Sequence, residues 1–266
     1  METARRLPRL SFGAGGIAQG SRALPAEAAV ALSFNGSTQA VMMATPADLV
    51  DFAYGFALTE GIATPAEVES VEIVETPKGI DVQVWLAPSA EDRLTARRRT
   101  MAGPVGCGLC GIDSIEQALR DMAPVAPSTF RMSPDQVLQA VASLPGSQPL
   151  HDATRAAHCA AFWTAEGIIA AREDVGRHNA LDKLAGHLIR TPHAPGAVIL
   201  TSRVSIDMVQ KVAALGVPML IAVSAPTAHA VDLADAAGIT LIALARPDRF
   251  EVFTHTDRLT ESVHVR

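Results

Sequence analysis

The sequence predicts an α/β fold in two parts, and three observations support it. The second half alternates short apolar runs with amphipathic segments, as expected when helices cover both faces of a sheet. The first half instead shows strand pairs around turn dipeptides, Asn35-Gly36 being the strongest hairpin signal. Between them lies a Ser/Pro-rich segment containing Pro124 and Pro127. The division is a loose, flexible arm over residues 1–24, a β-rich part over 25–126 that ends in a cysteine loop and its helix, and an α/β part over 127–266. A chain of 266 residues, 48% of them hydrophobic, is long and apolar enough for substantial cores.

The elements follow in order. Residues 1–24 are Gly-rich with scattered arginines. Strands over 28–34 and 39–44 flank Asn35-Gly36. Thr45 as N-cap and Pro46 at the first helical position predict a helix that carries Leu49, Phe52, Ala53 and Phe56 on one face and ends at Gly61. Residues 70–75 and 80–86 form a second strand pair through Pro77-Lys78-Gly79, and a basic segment over 93–99 follows. Beyond Pro127, Ser133-Pro134-Asp135 starts a helix to about 144, which Pro145-Gly146-Ser147 breaks. A β-pair over 157–164 and 167–172 leads to a helix over 178–189. Strands over 197–201, 218–223 and 239–243 then alternate with helices over 205–215 and 228–237, and a strand over 250–255 closes the chain.

Net charge is −6, which argues against a general nucleic-acid or anionic-membrane binder. The basic N-terminal stretch lacks an apolar core of a signal peptide, and no apolar run is long enough to span a membrane. Three cysteines, two of them close together, suit a reducing compartment, with the cytoplasm as the default.

Those two, Cys107 and Cys110, sit in GPVGCGLCGIDSIEQAL among glycines at 103, 106, 108 and 111. Asp113 or Ser114 can cap the helix that follows, with Glu116 or Gln117 as capping-box partner. A thiol just ahead of a helix start feels its unpaired N–H groups and the positive end of its dipole, which favours thiolate. The upstream run Arg97, Arg98 and Arg99 pushes the same way if it folds back. The competing reading is a structural or zinc CxxC, but zinc needs about four ligands and the one other cysteine is Cys159. We therefore expect sulfur chemistry and no metal.

In an open α/β sheet, ligands collect beyond the carboxyl ends of the strands. Three successive ends here are polar: Thr201-Ser202-Arg203, Ser224-Ala225-Pro226-Thr227 and Arg246-Pro247-Asp248-Arg249. Two precede helix N-termini able to hold phosphate, and the third offers two guanidinium groups suited to phosphate or a guanine edge. Together they suggest a nucleotide-like anionic ligand. No Walker loop or strand-linked GxGxxG is present, so neither ATP hydrolysis nor dinucleotide hydride transfer finds support. The block Arg172-Glu173-Asp174-Val175-Gly176-Arg177-His178-Asn179 admits two readings. His178 contacts substrate or handles protons, or the block caps a helix with Asp182 and Lys183 on a solvated face. His158 and Cys159, in an apolar strand, are expected in the core.

Other chemistries fare less well. A zinc deaminase needs HxE followed by PCxxC. No histidine precedes His151, none of the eight is followed two residues on by Glu, and Gly106 precedes Cys107. A thioredoxin-like CxxC follows an early βαβ strand, which this one does not. A non-enzymatic chaperone or scaffold stays open.

The stretches GCGLCG, EDVGRHNALDKL, TSRVSIDMVQKVAALGVPMLIAVSAPTAHAVDLA and RPDRF, with ATPADLVDFAYGFALTEGI in the first half, closely resemble the FdhD family from about Ala28 to Leu259. The resemblance implies an accessory sulfurtransferase for formate dehydrogenase. It implies a cytidine-deaminase-like three-layer C-terminal fold without the zinc chemistry, and a homodimer. It also implies that sulfane sulfur passes from a cysteine desulfurase to the molybdenum cofactor, bis-molybdopterin guanine dinucleotide, needed by the formate dehydrogenase catalytic subunit. The persulfide-carrying cysteine of the family falls on Cys107 and its partner on Cys110. The cofactor stretch falls on Leu244, Ala245, Arg246, Pro247, Asp248 and Arg249, beside Ser202, Arg203, Ser224 and Thr227 of the neighbouring strand ends. Two departures stand out: Thr154-Arg155 where the family has Thr-Gly, and Asp248 where members often have Gly.

Overall fold

The computed structural model describes residues 1–100 and 123–260, without the side chains of 96–100. The segment with Cys107 and Cys110, and the helix expected after it, lie outside the described residues.

Strands β3 (Ala28–Phe34) and β4 (Ser37–Ala44) turn at Asn35-Gly36, both with positive φ, as the hairpin signal requires. They join β5 (Val68–Thr76) and β6 (Gly79–Leu86) in a four-stranded sheet of order β4-β3-β6-β5. Strict alternation sends Ile80, Val82, Val84 and Leu86 to one face, where they meet Val30, Leu32 and Phe34. Helix α1 (Leu49–Thr59) closes that core with Leu49, Phe52, Ala53 and Phe56.

The helix does not start where local chemistry predicts. Thr45 is buried, and its backbone N–H donates to Asp174 Oδ2 at 3.0 Å while its hydroxyl accepts from Val175 N at 3.2 Å. A tertiary anchor has replaced the cap, and Asp48, with φ 54°, takes the N-cap position. Residues 4–25 also differ from the expected loose arm. Strands β1 (Ala4–Gly13) and β2 (Gly16–Pro25) pair antiparallel along their whole length. The glycines that suggest looseness supply the turn, where Gly16 has φ 100°. The basic segment winds into α2 (Glu91–Thr100), with Glu91 and Asp92 in its first turn.

The second half is a six-stranded sheet, order β12-β11-β10-β9-β7-β8. Its strands are β7 (His158–Thr164), β8 (Gly167–Asp174), β9 (Ala197–Leu200), β10 (Met219–Ala222), β11 (Thr240–Arg246) and β12 (Arg249–Val252). The central β9, β10 and β11 are parallel, and β9 and β10 are buried along their full length. Helix α3 (Pro134–Ser143), held by the reciprocal Ser133–Gln136 capping box, covers one face. A short α4 (Pro149–Thr154), absent from the sequence reading, follows the Pro145-Gly146-Ser147 break. Helices α5 (Arg177–Arg190), α6 (Ile206–Ala214) and α7 (Ala228–Ala236) cover the other face. The result is the three-layer α/β/α arrangement expected of this half.

Helix α5 has two buried sides. Leu181, Leu184 and Leu188 face the sheet, and the opposite side crosses α1 at a glycine pair. A Cβ on Gly55 would overlap the Asp182 carbonyl, and one on Gly186 would overlap that of Asp51. Only glycine at both positions lets the two backbones approach so closely.

Gly186→Ala therefore forces the helices apart. We expect it to reduce the unfolding free energy by at least about 2 kcal/mol in urea titrations. Gly146→Ala, where a Cβ meets nothing within 4 Å, should stay within about 0.5 kcal/mol of the parent. Equal stability of the two variants would contradict the close crossing.

Candidate functional site

The parallel order of β9, β10 and β11 brings their carboxyl ends side by side. The loops that follow are stitched together by backbone bonds. Val204 N donates to Ala225 O at 3.2 Å, Thr227 N to Val204 O at 2.9 Å, and Leu244 N to Ser224 O at 3.2 Å. The three polar strand ends thus form one continuous rim, and each residue named from the sequence has a definite place on it.

Ser202 is buried and its hydroxyl donates to Arg203 O at 3.2 Å, so it belongs to the inner wall. Arg203 is exposed, and no described residue bonds its guanidinium. Thr227 caps α7 by accepting from Ala230 N at 3.2 Å. Leu244 adopts φ 52°, a costly left-handed conformation for a γ-branched residue, at a bulge in the β11–β12 pairing. Ala245 is fully buried there. Arg246 pairs with Arg249 across the tight turn Pro247-Asp248. One Arg246 nitrogen bonds the carbonyls of Val223 at 2.5 Å and Ala245 at 2.9 Å, which ties β10 to β11 and engages part of the guanidinium. Arg249 meets only its exposed neighbour Asp248, at 3.5 Å. Such an exposed pair contributes little, so Arg249 and Arg203 are the free cations of this rim among the described residues.

The block around His178 turns out to be internal. Asp174, fully buried, accepts from Thr45 N at 3.0 Å, Gly176 N at 2.7 Å, Asn179 Nδ2 at 3.0 Å and Lys183 Nζ at 2.6 Å. Lys183 is also fully buried and reaches Thr45 O at 2.8 Å. Asp182 accepts from Thr59 Oγ1 at 2.7 Å and from Lys211 Nζ at 2.8 Å. The reading that put Asp182 and Lys183 on a solvated face is therefore overturned, because both are buried and point into the contact between the two halves. Burial disfavours the charge on Lys211, but the carboxylates of Asp182 and Glu60 outweigh it and hold the ammonium above its ordinary range. His178 Nε2 is bonded to Asp207, and both are buried. Burial pushes Asp207 up, yet the hydrogen bond and charge of His178 prevail and bring it down to about 2.

Cys159 lies in the core of β7. Burial, then the charge of Glu173, push its thiol up to about 12. It is thus a poor nucleophile. His158, its neighbour, is only half-buried, which departs from the expected core position. Among the described residues no group of three metal-ligating side chains occurs, and no helix is long and apolar enough to cross a membrane.

Three comparisons bear on the whole arrangement. The FdhD/NarQ family model matches residues 25–260. A sulfur carrier protein FdhD from Agrobacterium fabrum is 52% identical over 259 residues, covering 96% of each chain. One from Brucella abortus is 52% identical over 262 residues, covering 97% of each. The crystal structure of a candidate formate dehydrogenase accessory protein from Desulfotalea psychrophila superposes with a TM-score of 0.78 at 25% identity, covering 97% of this chain and 100% of the other.

The low position of Asp207 gives a pH prediction. Folding lowers this carboxyl below its unfolded value of about 3.9, so its contribution is complete above about pH 4 and is lost as pH falls towards 2. Asp207→Asn should lose less stability than the parent across that window, measured by urea midpoints. Parallel losses in the two proteins would contradict the assignment.

Proposed function

Because the chain belongs to the FdhD/NarQ family, we propose that it is a sulfur carrier that serves formate dehydrogenase, loading sulfur as a persulfide on Cys107. The observation that carries the choice of sulfur atom is the state of Cys159. With that thiol buried and held at about 12, the glycine-flanked pair Cys107 and Cys110 is left to supply the nucleophile.

The chemistry is thiol–persulfide exchange. The Cys107 thiolate attacks the outer sulfur of a cysteine persulfide on a desulfurase. A sulfur–sulfur bond forms to Cys107 as the one in the donor breaks, and the donor cysteine leaves as thiolate. No net oxidation occurs in this step. For release, the Cys110 thiolate attacks the inner sulfur of the Cys107 persulfide. Hydrosulfide departs, and the resulting disulfide needs two electrons from a thiol reductant before the next cycle. A reducing cytoplasm suits both steps.

The acceptor in this reading is bis-molybdopterin guanine dinucleotide, a substrate of the carrier. Supporting it is the rim at the ends of β9, β10 and β11, with Arg203 and Arg249 free to bond phosphate or guanine and two helix starts behind them. Asp248, exposed beside Arg249, can accept from the N1–H and amino group of guanine. The desulfurase, the formate dehydrogenase catalytic subunit and a second copy of the chain are the partners this reading requires.

Incubation with a cysteine desulfurase and cysteine, followed by mass spectrometry of the intact chain, tests the proposal. One reductant-labile sulfur atom should add to the parent and to Cys159→Ala, and none to Cys107→Ala. Cys110→Ala should still load, because the first attack needs Cys107 alone. Loading of Cys107→Ala would overturn the assignment to Cys107, and no loading of the parent would overturn the carrier reading and favour a cofactor-binding chaperone.

A further inference from the structure

Two apolar surfaces of this chain lie open to solvent, one with basic residues around it and one with acidic. Ten of the twelve large apolar side chains left exposed among the described residues lie on the β1–β2 hairpin or on the four-stranded sheet. The hairpin is tied near its base, where β2 runs beside α4 and an Arg22 nitrogen donates to Thr154 O at 3.5 Å. Six rungs separate the Leu7–Arg22 pair from the turn at Gly13 and Gly16, so the arm projects roughly 20 Å beyond that tie. Residues 12–22 are all exposed.

Alternation puts Leu10 and Phe12 on one face of the arm, with Ile17 directly across from Phe12. They are 57%, 74% and 67% exposed. A two-stranded hairpin is marginal in water by itself, and one that also shows a phenylalanine and two branched aliphatics to solvent gains by burying them. No ionisable residue lies between Arg9 and Arg22, whereas Arg5, Arg6, Arg9 and Arg22 stand behind this apolar tip. Residues 1–25 hold those four arginines and one acid, Glu2, so the arm carries +3. The chain as a whole carries −6, which leaves −9 for the remainder.

The second surface is the side of the four-stranded sheet turned away from the α1 core. Register places Val41 and Met43 of β4 opposite Ala31 and Ala29 of β3, and Trp85 of β6 opposite Ser70 of β5. Val74, opposite Asp81, is on the same side. Val41, Met43, Val74 and Trp85 are between 38% and 50% exposed. Strand β5 forms an edge of this sheet and carries Glu69, Glu72 and Glu75, all exposed and without a hydrogen bond or ion pair to any described residue. An open edge strand is a template for another chain unless charge guards it, and three glutamates admit a basic partner.

We propose that the β1–β2 arm of one copy lies on this sheet face of a second copy, with Leu10, Phe12 and Ile17 against Val41, Met43, Val74 and Trp85, and the arginines towards the β5 glutamates. Two-fold symmetry lets each copy give one arm and receive the other, so the contact closes as a dimer. The family model matches from residue 25, where the arm ends, so this clasp lies outside the portion the family model describes. The clasp gives the second copy required above its point of attachment, and persulfide loading can succeed or fail independently of it.

Trp85 reports the contact directly. In a Trp163→Phe background, acrylamide quenching of Trp85 and sedimentation velocity are measured over a dilution series of the full chain. Trp85 should be shielded in the concentrated dimer and become exposed on dilution, with the same midpoint as the fall in mass. Phe12→Ser with Ile17→Ser changes exposed positions alone, so the far-ultraviolet circular dichroism should not change. The midpoint should rise about a hundredfold or more, because a tenfold loss per arm counts twice in a two-fold dimer. Arg5→Glu, Arg6→Glu and Arg9→Glu together, or Glu69→Lys, Glu72→Lys and Glu75→Lys together, should weaken association, and the two sets combined should restore it. A monomer at every concentration, Trp85 shielding that does not depend on concentration, or a midpoint unmoved by the arm substitutions would overturn the clasp. Binding of such a monomer to phosphatidylserine vesicles would overturn it too and assign the arm to lipid.

Discussion

The close crossing of α1 and α5 at Gly55 and Gly186 is the contact on which the rest of the structure depends. It brings two backbones so near that the polar side chains flanking it lose their water. Those of the first half are answered from the second, and the second half's own buried pairs accept further hydrogen bonds from the first. Asp51 on α1 takes Arg172 of β8 at 2.7 Å and Arg190 of α5 at 2.7 Å. Asp174 takes Thr45 and Lys183, and Asp182 with Thr59 takes Lys211. Phe52 and Phe56 lie close to the Lys183 and Lys211 ammonium groups, at 5.8 and 6.0 Å from the ring centres. Removing one partner of a buried ion pair costs about 3–5 kcal/mol, because the other charge stays behind uncompensated. Against a total stability of about 5–15 kcal/mol, the pairs that cross the contact, Asp51 with Arg172 and Arg190 and Glu60 with Lys211, couple the two halves tightly.

That coupling has a consequence for the site. Asp174 ends β8 and shapes the turn into α5, so the network that joins the halves also sets the start of α5 and the position of Arg177. His178, one residue on, holds Asp207 in the first turn of α6, beneath the rim at the end of β9. The lock and the ligand edge are therefore continuous. His178 acts in this account as a positioning residue for the two helix starts, which explains why a histidine at a strand–helix junction is buried.

Much of this was legible in the sequence because its causes are local. Asn35-Gly36 demands positive φ at two residues, and the chain turns there. Ser133 and Gln136 form a reciprocal cap within four residues. Apolar runs with alternating helices require a covered sheet, and the three polar strand ends follow from it. What was not legible is set by distant partners. Thr45 has every local mark of a cap, yet Asp174, Val175 and Lys183 recruit its backbone and hydroxyl into the interior. Asp182 and Lys183 look like a solvated pair until α1 is laid against them. The signal that could have exposed them is their spacing within α5, which puts charges on the same side of the helix as Gly186. The hairpin of β1 and β2 was hidden because its strands bury little, so its pattern lacks the alternation that marks a half-buried sheet.

The chain carries two tryptophans, Trp85 in β6 of the four-stranded sheet and Trp163 in β7 of the six-stranded sheet. Each half thus has its own fluorescent reporter. In the single-tryptophan variants Trp85→Phe and Trp163→Phe, urea unfolding followed by fluorescence should coincide with unfolding followed by circular dichroism in the same protein. Coincidence in both would show the halves melting as one body, as the glycine crossing and its buried ion pairs require. A Trp85 transition well separated from the dichroism curve would mean that the four-stranded half unfolds by itself, and would contradict the account.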